Sequence, residues 1–375
     1  MDKQELSAGL ISKYRTLDAW STAGLVLFGI GVFALAAAAF GAFDTAPVTG
    51  LVLSFGLMSA GPMVYFARGY LWQPPGIKND HTVFTPVSNF GAAAWIIAVL
   101  FTAFYCLMYW YPVWLGGLVR LTDPLSRVIR NSSSDQYFLY SFMYTVAVLV
   151  MGVRFLLKYR HSRYQLLRTM SVMFFQLCLA FMLPSILAFF EKPVFYFTYF
   201  WPLMPEYLYP SRLAELSAQG RLGVFMVFWA VMMTFIATPV LTFFFGKRWY
   251  CSWVCGCGGL AETMGDPFRQ LSDKSLRAWR IERWLIHSVL LFIIVTTVLL
   301  FVQFFSDGAV PGRIPSQVSG LYGFFIVHIF AGTIGVGMYP LLGSRVWCRF
   351  GCPMAAIRGI LQKYVSRFRI TTNGG

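Results

Sequence analysis

Trp284-Leu-Ile-His-Ser-Val-Leu-Leu-Phe-Ile-Ile-Val-Thr-Thr-Val-Leu-Leu-Phe-Val-Gln-Phe-Phe305 runs for 22 residues without a charged side chain. A helix needs about 20 mostly apolar residues to cross the hydrocarbon core of a bilayer. Seven other stretches meet that length, at 19–42, 47–70, 92–117, 136–157, 169–190, 222–245 and 319–342. Gly61-Pro62 interrupts the second of them. A spanning helix tolerates such a break where neighbouring helices satisfy the freed backbone groups. Composition agrees, since 58% of the 375 residues are hydrophobic and only 12% are charged, against about 25% in soluble domains. The sequence therefore predicts an all-α, polytopic transmembrane bundle of about eight spans.

Eight spans put both termini on one side, and the cations choose the side. Of the 30 Lys and Arg residues, 22 fall in the N-terminal segment, the 71–91 connection with its flank, the 158–168 loop, the 247–283 segment and the C-terminal tail. The positive-inside rule places these segments, and so both termini, at the cytoplasmic face. The net charge of +15 follows from this flanking pattern and from contact with anionic membrane lipid. A nucleic-acid partner is not expected, because no concentrated basic face is formed. Residues 1–17 are polar and mixed in charge, and the apolar run after them is too long for a cleavable signal core,. The chain divides into a cytoplasmic segment 1–18, a six-span region 19–246, a cysteine-bearing loop 247–283, a two-span region 284–342 and a tail 343–375.

Five of the seven cysteines lie in two short clusters, Cys251-Ser-Trp-Val-Cys255-Gly-Cys257 and Cys348-Arg-Phe-Gly-Cys352-Pro353. Each cluster borders a span on its basic side. Cysteines four apart on a helical turn share one face, with β-carbons about 5–6 Å apart. Neither pair completes a four-thiolate site, but two pairs brought together would. Pro353 suits the first turn of a helix that begins just after its ligand. Gly256, Gly258 and Gly259 around Cys257 suggest an irregular turn that can approach a cofactor closely. Soft thiolates bind iron–sulfur clusters, and zinc is also held by four thiolates in structural sites. Cys106 and Cys178 sit singly in mid-span, where a cysteine is ordinarily a packing residue,.

Arg248-Trp-Tyr-Cys251-Ser-Trp-Val-Cys255 and Trp347-Cys348-Arg-Phe-Gly-Cys352-Pro353 resemble the paired Cys-x-x-x-Cys-Pro motifs of NapH/NosR-type polyferredoxin membrane proteins. That family includes a quinol-dehydrogenase subunit of nitrate reduction, an electron donor to nitrous-oxide reductase, and a cytochrome-oxidase assembly protein. The similarity spans about 240–365, with a local likeness to other bacterial 4Fe-4S membrane proteins at Gln73-Pro-Pro-Gly-Ile-Lys78. It implies a 4Fe-4S cluster, a multi-pass place in the bacterial inner membrane, and redox subunits, a ferredoxin-like donor or a quinone as partners. The first motif departs from the family pattern in lacking its proline. Cys251, Cys348 and Cys352 are therefore joined by either Cys255 or Cys257 as the fourth ligand. Family members usually continue into a soluble ferredoxin domain, which would begin near Gly374-Gly375.

His287 and His328 fall inside the last two spans, at depths differing by roughly 10–20 Å given a rise of 1.5 Å per residue,. That is too far apart to ligate one haem b from both sides. Each could bind a separate haem or a quinone carbonyl, or simply bond a neighbouring backbone carbonyl. His81 and His161 lie in loops and read as solvated. Residues 260–283 alternate charge with apolar side chains and read as an interfacial amphipathic segment that could dock an acidic donor,. The 191–221 connection, rich in Tyr and Trp, reads as an interfacial aromatic belt,. The sequence thus points to a membrane-embedded electron-transfer subunit. The rivals are a metal-cofactor assembly or reductase factor for a respiratory complex, and a zinc-organised anchor.

Overall fold

The computed structural model describes residues 18–72, 75, 87–306 and 313–368. The N-terminal residues 1–17, His81, the end of the tail and all of the Gln73–Lys78 likeness except Pro75 lie outside the described residues. The described chain is an all-α bundle with no strand. Its helices are α1 (Ala19–Ala39), α2 (Pro47–Leu71), α3 (Ala92–Trp110), α4 (Gly116–Arg130), α5 (Gln136–Lys158) and α6 (Arg163–Phe189). There follow α7 (Pro210–Ala218), α8 (Arg221–Phe245), α9 (Trp249–Trp253) and α10 (Gly256–Glu262). The last four are α11 (Leu276–Phe305), α12 (Arg313–Ile334), α13 (Tyr339–Leu342) and α14 (Pro353–Tyr364). Eight of them (α1, α2, α3, α5, α6, α8, α11 and α12) are long and apolar enough to cross a membrane.

Large apolar side chains such as Trp95, Ile96, Val99 and Leu100 point outward, whereas small residues bring helices together. A Cβ on Gly61 would meet the Phe28 backbone nitrogen at 2.6 Å, and one on Gly24 would meet the Gly61 carbonyl at 2.7 Å. Small residues permit this close approach where no hydrophobic effect drives helices together in lipid. Gly61→Val is expected to separate α1 from α2 and destabilise the protein by about 1–3 kcal/mol, the usual cost of overpacking. A lowered unfolding midpoint in detergent would register it. Pro62 is accommodated inside α2 without ending it.

Polar contacts group the basic connections at one end of the bundle. Arg68 at the end of α2 pairs with Asp18, which caps α1. Arg160 donates to the Leu71 carbonyl at 3.0 Å, and Lys158 reaches Asp266 at 2.9 Å. At the other end Arg120 pairs with Asp44 at 2.9 Å, and Ser134 N donates to Asp123 at 2.8 Å.

The eighth span runs Arg313–Ile334 rather than 319–342, and three further segments differ from the sequence reading. The third span stops at Trp110, because Pro112 opens a short turn from which the separate helix α4 departs. The supposed interfacial segment is divided. Leu260, Ala261, Glu262 and Asp266 are buried, and from Leu276 the chain is already in α11, capped by Ser275 Oγ accepting from Ala278 N at 3.1 Å. The aromatic connection after α6 is not an exposed belt either. Phe195, Phe200 and Tyr207 are buried, Trp201 Nε1 donates to Thr297 in α11 at 3.1 Å, and Tyr250 OH donates to the Thr198 carbonyl at 2.6 Å. Residues 195–201 fold back between α8 and α11, which is allowed where irregular backbone is buried in protein.

Candidate metal centre

Two turns of the same design hold the cysteines. α8 ends at Gly246 and α13 at Gly343, both with positive φ (+72° and +87°), a conformation that glycine adopts at no steric cost,. Gly246 N donates to Thr242 O at 2.9 Å and Gly343 N to Tyr339 O at 3.0 Å. In each turn an arginine, Arg248 or Arg345, stands three residues before the first cysteine, and an aromatic, Tyr250 or Trp347, stands directly before it. Cys255 N donates to Tyr250 O and Cys352 N to Trp347 O, both at 2.9 Å. A short helix then starts after each second cysteine, α10 after Cys255 and α14 after Cys352. In this register Cys255 corresponds to Cys352, Gly256 to Pro353, and Cys257 to the buried Met354.

The halves cover each other reciprocally. Gln362 of α14 lies over the first turn, where its side-chain oxygen accepts from Lys247 N at 2.7 Å. Ser272, beyond α10, lies over the second turn, with Ser272 N 2.7 Å from where a Gly343 Cβ would be. Arg345 of the second turn pairs with Glu262 of α10, and Arg358 of α14 donates to the Lys247 carbonyl of the first turn at 3.1 Å. A Cβ on Gly258 would overlap the Cys251 carbonyl, so α10 passes Cys251 only as glycine.

Four of the five clustered cysteines meet in this core. Cys255 and Cys352 are buried with Phe200, Tyr250, Trp347 and Met354, and Cys257 and Cys348 pack against them. Cys251 joins through Arg358, whose Nη2 donates to Cys251 Sγ at 2.9 Å. The Cys257 S–H, directed at Cys255, is the main cause that brings the Cys255 thiol down to about 7, and the same contact with burial holds Cys257 well above its usual range. Burial pushes Cys352 up to about 12 and raises Cys348 as well. The Gly258 amide favours an anionic Cys255 and the Ala355 amide an anionic Cys352. These are the properties of thiols without metal, and a coordinated thiol is deprotonated outright. The donor set suits a thiolate-ligated centre: four cysteines on two equivalent turns, walled by aromatics, with a buried guanidinium on one sulfur.

Among the described residues, no three His, Cys, Asp or Glu side chains converge tightly enough to hold a single ion. Four thiolates on one zinc stand about 3.8 Å apart, given a Zn–S bond of about 2.3 Å. A cluster of four irons and four sulfides spaces its thiolates more widely.

The histidines stand elsewhere. His287 is exposed on α11 and bonds its own helix, Nδ1–H donating to the Arg283 carbonyl at 2.6 Å. His328 stacks on Tyr109 with ring centroids 4.3 Å apart. Neither joins the cysteine core. Cys106 and Cys178 also lie outside it and are half-buried.

Sequence reasoning missed Arg358, the Glu262 and Asp266 clamp, and the returning 195–201 segment. Asp266 accepts from Arg154 and Lys158 of α5, both at 2.9 Å, and Glu262 from Arg168 of α6 at 3.0 Å, which fixes α10 against the bundle. The repeated Gly-x-Arg-x-x-Cys spacing is the signal that would have paired Cys255 with Cys352.

Comparison with known proteins agrees with the pairing of the two turns. No curated protein and no solved structure matches the chain. Residues 227–275 and 322–371, one stretch around each cysteine turn, both match the family model of a 4Fe-4S binding domain, which suggests iron–sulfur electron transfer.

Proposed function

We propose that this chain is a membrane-embedded electron-transfer subunit that holds one 4Fe-4S cluster on Cys251, Cys255, Cys348 and Cys352. The observation that carries the reading is the pair of equivalent cysteine turns, each covered by the other's following segment and each matched by the 4Fe-4S domain model. When bound, such a cluster supplies one-electron redox chemistry at a potential set by its charge, its hydrogen bonds and its exposure. The protein supplies the setting. Cys352 stands at the N-terminus of the 12-residue α14, whose dipole favours a negative sulfur,. Phe200, Tyr250 and Trp347 keep water from the sulfurs, which strengthens every charge interaction inside,. Cys257, in the position of Met354, stays outside the ligand set.

The Lys/Arg-rich end that carries the site faces the cytoplasm on this reading, in a bacterial inner membrane. Electrons pass between a ferredoxin-like or quinone-pool donor and a partner redox protein, as in the NapH/NosR-type proteins that the motifs resemble. Protein purified anaerobically and reduced with dithionite is expected to give a low-temperature EPR signal that disappears on reoxidation and returns on a second reduction. A diamagnetic, zinc-loaded preparation would sink the relay in favour of a structural anchor. Iron that is released during one redox cycle would favour an assembly factor with a labile site.

A further inference from the structure

Arg358 is a further point at which the two halves differ. Its counterpart after the first turn is Ala261, so the guanidinium stands on one side of the site only. Arg358 is 1% exposed. Its hydrogen-bond partners are the Met354 carbonyl at 3.2 Å, the Lys247 carbonyl at 3.1 Å and Cys251 Sγ at 2.9 Å, and it lies 4.9 Å from the Tyr250 ring centroid. Among the described residues no carboxylate pairs with it. The other deeply buried cations are provided for: Arg154 and Lys158 share Asp266, and Arg168 has Glu262. A buried cation needs an anion, and what Arg358 faces are the sulfurs of the site, Cys251 at hydrogen-bond distance with Cys352 and Cys255 beyond it. The carbonyl contacts fix the guanidinium plane, so the charge is aimed before any cofactor arrives.

We infer that Arg358 is a positioning residue that compensates charge at the thiolate centre through Cys251, holding Cys251 as a ligand and raising the reduction potential of the site. The inference rests on the cluster reading above. Adding one electron there makes or breaks no bond and moves no proton, since Arg358 remains protonated throughout. The added negative charge is stabilised by a fixed positive charge in a dry environment. Removing that charge makes the electron harder to place.

The test compares Arg358→Gln, which keeps hydrogen-bond donors and loses the charge, with Arg358→Lys, which keeps the charge. Both are purified anaerobically as full-length protein beside the wild type. Iron is counted, and the EPR signal is followed against ambient potential with dithionite as reductant. Arg358→Gln is expected either to lose iron or to show at least a tenfold lower ratio of reduced to oxidised centre at a fixed potential. A tenfold ratio is 59 mV for one electron. Arg358→Lys is expected to behave as wild type in both readouts. The inference is overturned if Arg358→Gln matches the wild type, or if Lys and Gln fail alike, which would make Arg358 a packing residue. Iron-free wild-type protein would overturn the cluster reading and this inference together, whereas iron-loaded wild type isolates the role of Arg358.

Discussion

Cys352→Ser is expected to leave the purified protein with less than about a tenth of the wild-type iron, because even an outer-shell partner of a metal ligand is worth about tenfold or more in affinity. Cys251→Ser, Cys255→Ser and Cys348→Ser should do the same, while Cys257→Ser should retain iron and sulfide. The asymmetry comes from the matched turns: Cys255 occupies the place of Cys352, with the same backbone hydrogen bond to the residue before the first cysteine. Cys257 occupies the place of Met354, which carries no ligand atom of comparable strength,. Far-ultraviolet circular dichroism and a thermal melt would show that the serine variants remain folded. Iron lost with Cys257→Ser and kept with Cys255→Ser would hand the fourth position to Cys257.

Asp266→Asn is expected to cost about 3–5 kcal/mol, the usual result of removing one partner from a buried ion pair. Asp266 is 3% exposed and takes both Arg154 and Lys158, themselves 0% and 3% exposed, so its loss takes the shared carboxylate from two buried cations. The damage should propagate to the site, because Asp266 holds the segment after α10 against α5. The same pair predicts a pH dependence. Burial raises the Asp266 carboxyl, but Arg154 and Lys158 outweigh it and hold it below the usual carboxylate range. A carboxylate depressed in the folded state stabilises the protein above its unfolded value of about 3.9. That stability is lost as pH falls through the lower folded value. Wild-type unfolding midpoints in detergent should therefore drop steeply below about pH 4, and the Asp266→Asn midpoints should drop less over that window. Parallel acid curves for the two proteins would remove Asp266 from the account.

How much of this was visible in the sequence depends on the kind of signal. Uninterrupted apolar length is one-dimensional, so the eight long helices were legible while their ends were not: Pro112 and the cap at Ser275 moved two boundaries, α6 starts at Arg163 rather than 169, and α12 runs Arg313–Ile334 rather than 319–342. The cysteine clusters were legible because thiols beside a basic border are chemically unusual. Their pairing in space was a matter of hypothesis, since Cys255 and Cys257 differ by register and not by composition. The signal that separates them, glycine and arginine at fixed offsets before each first cysteine, lay in the string but becomes meaningful when both glycines are seen at positive φ. Arg358, Asp266 and Glu262 were not legible, because their partners are 107, 112 and 94 residues away along the chain. The 191–221 connection was misjudged for a related reason. Aromatics suit a membrane interface and a protein interior equally well, and only Trp201 on Thr297 and Tyr250 on Thr198 show that the segment turns inward.

The most direct test of the central claim is the iron and acid-labile sulfide content of the anaerobically purified wild-type chain. Four irons and four sulfides per chain are predicted, falling together in the Cys352→Ser variant. One zinc per chain with no labile sulfide would contradict the account.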